Sequence, residues 1–137
     1  MEPELEIQII TLIILLFLSS FFSSAETALV SVNRIKIRTL EEEGNKKAKT
    51  LMKIYENEAK MLSAILIGNN LVNTYAASIA ATIAYAFGGA AVGLATFLIT
   101  LFILIFGEIT PKPLATQNAA KIALMYAPVI LFLMKIL

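Results

Sequence analysis

The run Ile105-Phe-Gly-Glu-Ile-Thr-Pro-Lys-Pro113 sets a carboxylate, Glu108, at the end of an apolar stretch long enough to cross a bilayer. Charge is costly there, and ionisable groups within membrane segments are candidates for function. Gly107 loosens the backbone just ahead of it. Pro111 and Pro113 have no N–H, so the carbonyls that would have bonded to them are released. A released carbonyl in or near hydrocarbon needs another partner, and a bound cation is one of the few on offer. Gly107, Glu108 and Pro111 thus form one part of a candidate cation site at a broken membrane helix. The plainer alternative is that Pro-Lys-Pro stops the helix at the surface and Glu108 pairs with Lys112.

Two more polar sets stand in otherwise apolar runs. In Ser19-Ser-Phe-Phe-Ser-Ser-Ala-Glu-Thr27, Ser19, Ser23 and Glu26 fall at i, i+4 and i+7 on one helix face, with Ser20, Ser24 and Thr27 on an adjacent one. In Gly68-Asn-Asn-Leu-Val-Asn73, Asn69 and Asn73 share a face. Membrane serines commonly bond back to their own helix carbonyls or let helices pack closely, and that account suffices for most of these four. Buried amides need partners, which are either another helix or an ion. Every candidate is a hard oxygen donor, suited to Mg²⁺, Ca²⁺, Na⁺ or Mn²⁺ and unsuited to zinc or copper. The residues alone do not separate Mg²⁺ from Ca²⁺.

Composition limits the chemistry further. The chain has 137 residues, 58% of them hydrophobic, with a mean hydropathy of +0.81; soluble domains are about half apolar and lack long uninterrupted runs. An all-α integral membrane protein is expected. Cysteine, histidine and aspartate are absent, so neither a Ser-His-Asp nor a Cys-His catalytic group can be built, and no enzyme is expected. Glu2, Glu4 and Glu6 stand where a cleavable signal would carry basic residues.

These residues must be positioned by membrane helices. Ile7 to Ala25 is uncharged for nineteen residues, close to the ~20 that span a bilayer. Three spans are expected, at about 7–30, 61–87 and 90–108. Ala76, Ala80 and Ala84 form a small-residue seam for close packing against a neighbour or a symmetry mate. Gly88-Gly89 makes the turn between the second and third spans. Residues 31–60 hold eight of the eleven basic side chains and read as a juxtamembrane helical hairpin, with a helix end at Glu41-Glu-Glu-Gly44-Asn45. Residues 119–137 carry Lys121, Pro128 and Lys135, which suits an interfacial helix better than a fourth span. The chain then stops without a polar tail, as an isolated domain would.

With three spans, all eleven Lys and Arg lie on one side of the membrane. The positive-inside rule makes that side cytoplasmic, with the N-terminus outside. At ~1.5 Å per residue, Ser19 and Ser23 then lie roughly 5 to 10 Å inside the cytoplasmic end of the first span, and Asn69 and Asn73 about 12 and 18 Å along the second. Glu108 lies near the inner end of the third. Three helices deliver oxygen donors to a similar depth.

The three motifs, Ser-Ser-Phe-Phe-Ser-Ser-Ala-Glu-Thr-Ala-Leu29, Gly-Asn-Asn-Leu-Val-Asn73 and Phe-Gly-Glu-Ile-Thr-Pro-Lys112, occur in this order on successive helices and closely resemble the transmembrane domain of the CorC/cyclin M (CNNM) family. The resemblance implies a homodimeric Mg²⁺ transporter of the plasma membrane, exporting Mg²⁺ in exchange for Na⁺, with three spans and a cytoplasmic juxtamembrane belt. It implies ion ligands at Ser19 and Ser23, at Asn69, Asn70 and Asn73, and at Gly107, Glu108 and Pro111, with Glu26 available to a second ion. Membrane lipids and, in longer family members, cytosolic CBS domains are the implied partners; no nucleic-acid partner is expected. A membrane-anchored Mg²⁺ sensor and a passive divalent-cation channel are the alternative functions.

Overall fold

The computed structural model describes residues 3–86, 88–89 and 91–137, with the side chains at 91, 92, 107 and 108 outside the description. Within it the chain is helical: α1 (Pro3–Ser31), α2 (Arg34–Glu42), α3 (Lys46–Tyr55), α4 (Glu58–Tyr85), α5 (Ala91–Phe102), a π-helical segment (Ile103–Ile109), α6 (Pro111–Gln117) and α7 (Ala119–Ile136). Three stretches are long and apolar enough to cross a membrane, Pro3–Ser31, Gly93–Gln117 and Ala119–Ile136. The protein is an all-α, multi-pass membrane protein. The second expected span, 61–87, falls in α4, whose 28 residues are ample in length. Its three asparagines lower the hydropathy and keep it out of that set. Residues 87 and 90, at the edges of two expected spans, lie outside the described residues.

Burial on α1 follows the helical period. Leu12, Leu15, Ser19, Phe22 and Ser23 face inward, while Ile7, Ile10, Ile13, Ile14 and Phe17 point out, Phe17 at 73% exposure. Large apolar side chains on the outside and hydroxyls on the inside are the arrangement that lipid selects. α4 runs antiparallel beside α1 and packs on α5; the π segment and α6 also lie against α1. The expected alanine seam is buried inside this bundle: Ala76, Ala80 and Ala84 are each at most 3% exposed, with Ala76 packed on Leu12, Leu15 and Ile103. Small side chains let the helices approach, and the seam is used within one chain.

The basic hairpin is held by asparagine caps. Asn33 accepts from the backbone N–H of Ile35 and Lys36, Asn45 from Ala48 and Asn57 from Lys60, starting α2, α3 and α4 respectively. At the α2–α3 corner Gly44 takes the left-handed conformation, φ +93°, and Asn45 is extended and opens the next helix. The expected helix end is therefore a stop at Gly44 followed directly by a start.

Ile37, Leu51 and Ile54 of the hairpin are fully buried in one core with Leu29, Met61 and Ile65 and with Ala123, Ala127 and Ile130 of α7. α7 is thus wrapped around the hairpin end of the bundle, against α3 and the second half of α1, with the Tyr126 ring 4.6 Å from that of Phe21. Pro128 sits on its exposed side, where the missing backbone hydrogen bond is least disruptive.

A clasp joins the hairpin to the long helices. The Tyr55 hydroxyl donates to the Leu29 carbonyl of α1. The Arg34 guanidinium lies 4.2 Å over the Tyr55 ring and pairs with Glu58 at the start of α4. Burial pushes the Tyr55 hydroxyl up to about 12 from the usual 10, against the opposing pull of the Arg34 charge, with Glu58 adding to the rise. A folded-state value above the unfolded one favours the fold below pH 10, and that contribution is lost as pH rises through about 12. Tyr55→Phe is expected to cost about 0.5–1.5 kcal/mol at neutral pH through the lost hydrogen bond and to flatten the alkaline loss. Thermal unfolding of wild type and variant in detergent at pH 8 and pH 11 checks both.

Candidate cation site between α1 and α4

Antiparallel packing brings the serine face of α1 onto the asparagine face of α4. The Ser19 hydroxyl donates to the Asn73 side-chain carbonyl at 2.7 Å. One turn further along α1 is Ser23, and one turn back along α4 is Asn69, at the same level of the bundle. Ser19 and Ser23 are each only 1% exposed. The Ser23 hydroxyl and the Asn69 carbonyl oxygen are both buried, and neither has a hydrogen-bond partner among the described residues. Leaving a polar atom buried and unpaired costs about 1–3 kcal/mol, so two at one level of an apolar bundle require an explanation. Ser19, by donating its proton to Asn73, leaves its own lone pairs free to face a cation.

The level is fixed by a close approach next to these residues. A Cβ on Gly68 would lie 2.4 Å from Cε1 and Cζ of Phe22, a separation that side chains do not tolerate. Phe22 precedes Ser23 and Gly68 precedes Asn69, so this contact sets the helix spacing where the unpaired oxygens lie. The sequence contains the signal, a glycine directly before the asparagine pair, but the ring that uses it is visible only in the fold.

The other residues read as site candidates are distributed unevenly. Asn70 is exposed and is not brought to the cluster; Glu26 is half-buried, one turn beyond Ser23. Ser24 bonds back to the Phe21 carbonyl at 3.0 Å, the plain role expected for most of the serines. Ser20 lines a cavity of about 270 Å³ with Phe17 and Phe106. Pro111 is buried. Glu108 and Gly107, as side chains, lie outside the described residues, but the backbone through them belongs to the π segment, which packs on α1. Thr110 N–H bonds to the Ile105 carbonyl at 2.9 Å, five residues back. The next donor in that register would be Pro111, which has none, so the Phe106 carbonyl gets no bond from it. The break expected at the prolines is thus a π-helical widening followed by α6 with proline at its start. Such widenings occur frequently at functional sites. Phe106 lies level with Ser20, and Ala115 joins the core of Phe22, Ala25 and Leu29. The stretch between them passes α1 beside the serines.

Among the described residues no group of three or more His, Cys, Asp or Glu clusters together. The oxygens available at this level are hydroxyl, amide and backbone carbonyl, together with whatever the π segment brings.

The cyclin M transmembrane N-terminal domain family matches residues 9–137 of the chain. A UPF0053 protein of Haemophilus influenzae is 44% identical over 128 residues, 93% of this chain and 30% of the relative. The UPF0053 inner membrane protein YfjD of Escherichia coli is 34% identical over 107 residues, 77% of this chain and 25% of the relative. A chloroplastic DUF21 domain-containing protein of Arabidopsis thaliana is 37% identical over 113 residues, 82% of this chain and 17% of the relative. The chain spans less than a third of the length of each of these three relatives.

Proposed function

The chain belongs to the cyclin M transmembrane N-terminal domain family, and on that footing we propose that it binds and carries Mg²⁺ across the membrane. The observation that supports this most directly is the pair of buried oxygens without protein partners, Ser23 Oγ and Asn69 Oδ1, beside the Ser19–Asn73 bridge. Hard neutral oxygens suit Mg²⁺, and Glu108 supplies the charge in this reading, with Asn73, the released carbonyls near Pro111 and retained waters completing the shell. The ion is the cargo, and mostly neutral ligands leave it able to depart.

The coupling follows from the same chemistry. A carboxylate that neutralises a dication accepts Na⁺ when the dication leaves, so exchange against Na⁺ needs no second anionic group, although Glu26 offers one. The carrier is a homodimer that exports Mg²⁺ by alternating access, with its N-terminus outside and the basic hairpin in the cytoplasm. It sits in a plasma membrane; YfjD is by its printed name an inner membrane protein. No catalytic step is part of this reading.

Ser23→Ala tests it with two opposite signs. The substitution removes a buried hydroxyl that has no partner among the described residues, so the Mg²⁺-free protein is expected to unfold at the same temperature or higher. The rise in unfolding temperature on adding Mg²⁺ is expected to shrink, with several-fold weaker binding by calorimetry, since one neutral ligand is lost. A drop in Mg²⁺-free stability with unchanged affinity makes Ser23 a packing residue. Flux of Mg²⁺ through proteoliposomes, with and without a Na⁺ gradient, then separates carrier from passive channel and from a sensor that moves nothing.

A further inference from the structure

We propose that the groove between α2 and α3 holds the phosphate headgroup of an anionic lipid. This rests on the chain being a membrane protein and not on the identity of the carried ion. A cavity of about 400 Å³ opens between Arg34, Ile35 and Arg38 of α2 and Met52, Tyr55 and Glu56 near the end of α3. A second, of about 470 Å³, shares Arg38, Met52 and Glu56 and continues past Glu41, Lys49 and Lys53. The joined groove is lined by four cations and two carboxylates. Among the described residues the only ion pair is Arg34–Glu58. Arg38, Lys49 and Lys53 are therefore uncommitted, even though Glu41 and Glu56 share the groove with them. Cations outnumber carboxylates along the groove, and an excess of positive charge on a concave surface draws in an anion, while guanidinium matches phosphate through paired N–H donors.

The surroundings favour a lipid over a soluble anion. Only Val32 and Asn33 separate α2 from α1, and only Glu56 and Asn57 separate α3 from α4. Both ends of the hairpin are thus tied by two-residue links to long bundle helices, which in this proposal holds the groove at headgroup height. Ile35 is 78% exposed between Arg34 and Arg38, and Met52 forms part of the wall. Apolar side chains interleaved with basic heads suit the boundary between headgroups and acyl chains. Basic clusters immediately beside a membrane helix attract anionic lipid in proportion to their charge. A soluble polyanion has no use for the exposed isoleucine.

The test is titration of the detergent-solubilised protein with phosphatidylglycerol, read by native mass spectrometry as the dissociation constant of the first bound lipid. Arg38 and Lys53 are exposed, and replacing both with Gln is expected to weaken phosphatidylglycerol about 25-fold, about fivefold per charge, leaving phosphatidylcholine unchanged. The same charge change on α7, Lys121→Gln with Lys135→Gln, is expected to change neither. Glu56→Gln works in the opposite direction and is expected to tighten phosphatidylglycerol about fivefold, which a folding defect does not mimic. Equal weakening by both double variants, or no tightening in Glu56→Gln, overturns the site. Inorganic phosphate at constant ionic strength is expected not to compete; displacement of the lipid by it overturns the lipid as the source of the anion.

Discussion

Replacing Glu108 with Gln is expected to remove saturable Mg²⁺ binding, with affinity falling by two to three orders of magnitude while the helical fold persists. In the proposed site the donors other than Glu108 are neutral: two serine hydroxyls, two asparagine amides and backbone carbonyls. Neutral oxygens orient a dication but do not offset the cost of taking it out of water, which amounts to several kcal/mol per ion even after relaxation. Removing one member of a buried, oppositely charged pair typically costs about 3–5 kcal/mol, and about 1.4 kcal/mol is a tenfold change in affinity. Glutamine keeps the shape and one oxygen, so the loss reports charge and not packing. Calorimetry on wild type and variant, beside circular dichroism to confirm helix content, measures it. Unchanged affinity in a folded variant removes Glu108 from the site, and with it the account of Na⁺ exchange. Absence of saturable binding in both proteins means that the unpaired oxygens serve helix packing.

How much of this was legible in the sequence depends on whether the signal was periodic. Four-residue spacing put Ser19 with Ser23 and Asn69 with Asn73. Ser19 meets Asn73 in the fold, and because antiparallel helices with the same period match turn for turn, Ser23 and Asn69 follow one turn along at the next level. Asn70 lies off that face by its position in the helix and is exposed; the family resemblance had grouped it with its neighbours, whereas helical geometry separates it. The end of α2 was readable from Gly44. The start of α4 at Glu58 was not, because the apolar run begins only at Met61 and the cap is a single asparagine, Asn57.

The prolines announced a break but not its form. A π-helical register depends on what packs against the segment, here α1, and no local pattern encodes that. α7 shows the same limit. Its length and apolarity allow a span, its lysines and proline suggest an interface, and only its burial against α3 and α1 shows which neighbours it takes. The Phe22–Gly68 contact joins residues far apart in the chain, and its consequence is energetic as well as descriptive.

Gly68→Ala is expected to cost about 1–3 kcal/mol in stability, as overpacking in a filled core does, and to weaken Mg²⁺ binding at least tenfold. The added methyl would lie 2.4 Å from two atoms of the Phe22 ring. Phe22 is 7% exposed and flanked edge-on by the Phe21 ring at 5.2 Å, so it cannot swing aside freely. The helices separate instead, and the separation falls where, in the proposed site, Ser23 and Asn69 converge on one ion. Mg²⁺ coordination at ~2.0–2.1 Å tolerates little drift, so affinity suffers more than a helix displacement of a few tenths of an ångström would suggest. Phe22→Leu should cost some packing by itself but relieve the clash, so in that background Gly68→Ala is expected to cost less, with a coupling of about 0.5–3 kcal/mol between the two positions. Affinity should recover with stability in the double variant, although neither side chain carries a ligand oxygen. If Gly68→Ala lowers the unfolding temperature and leaves Mg²⁺ affinity intact, the contact supports only the bundle. If the double variant regains stability without affinity, Phe22 is needed for more than helix spacing. Recovery of both assigns this pair the task of holding two unpaired oxygens at the separation that a small, hard cation requires.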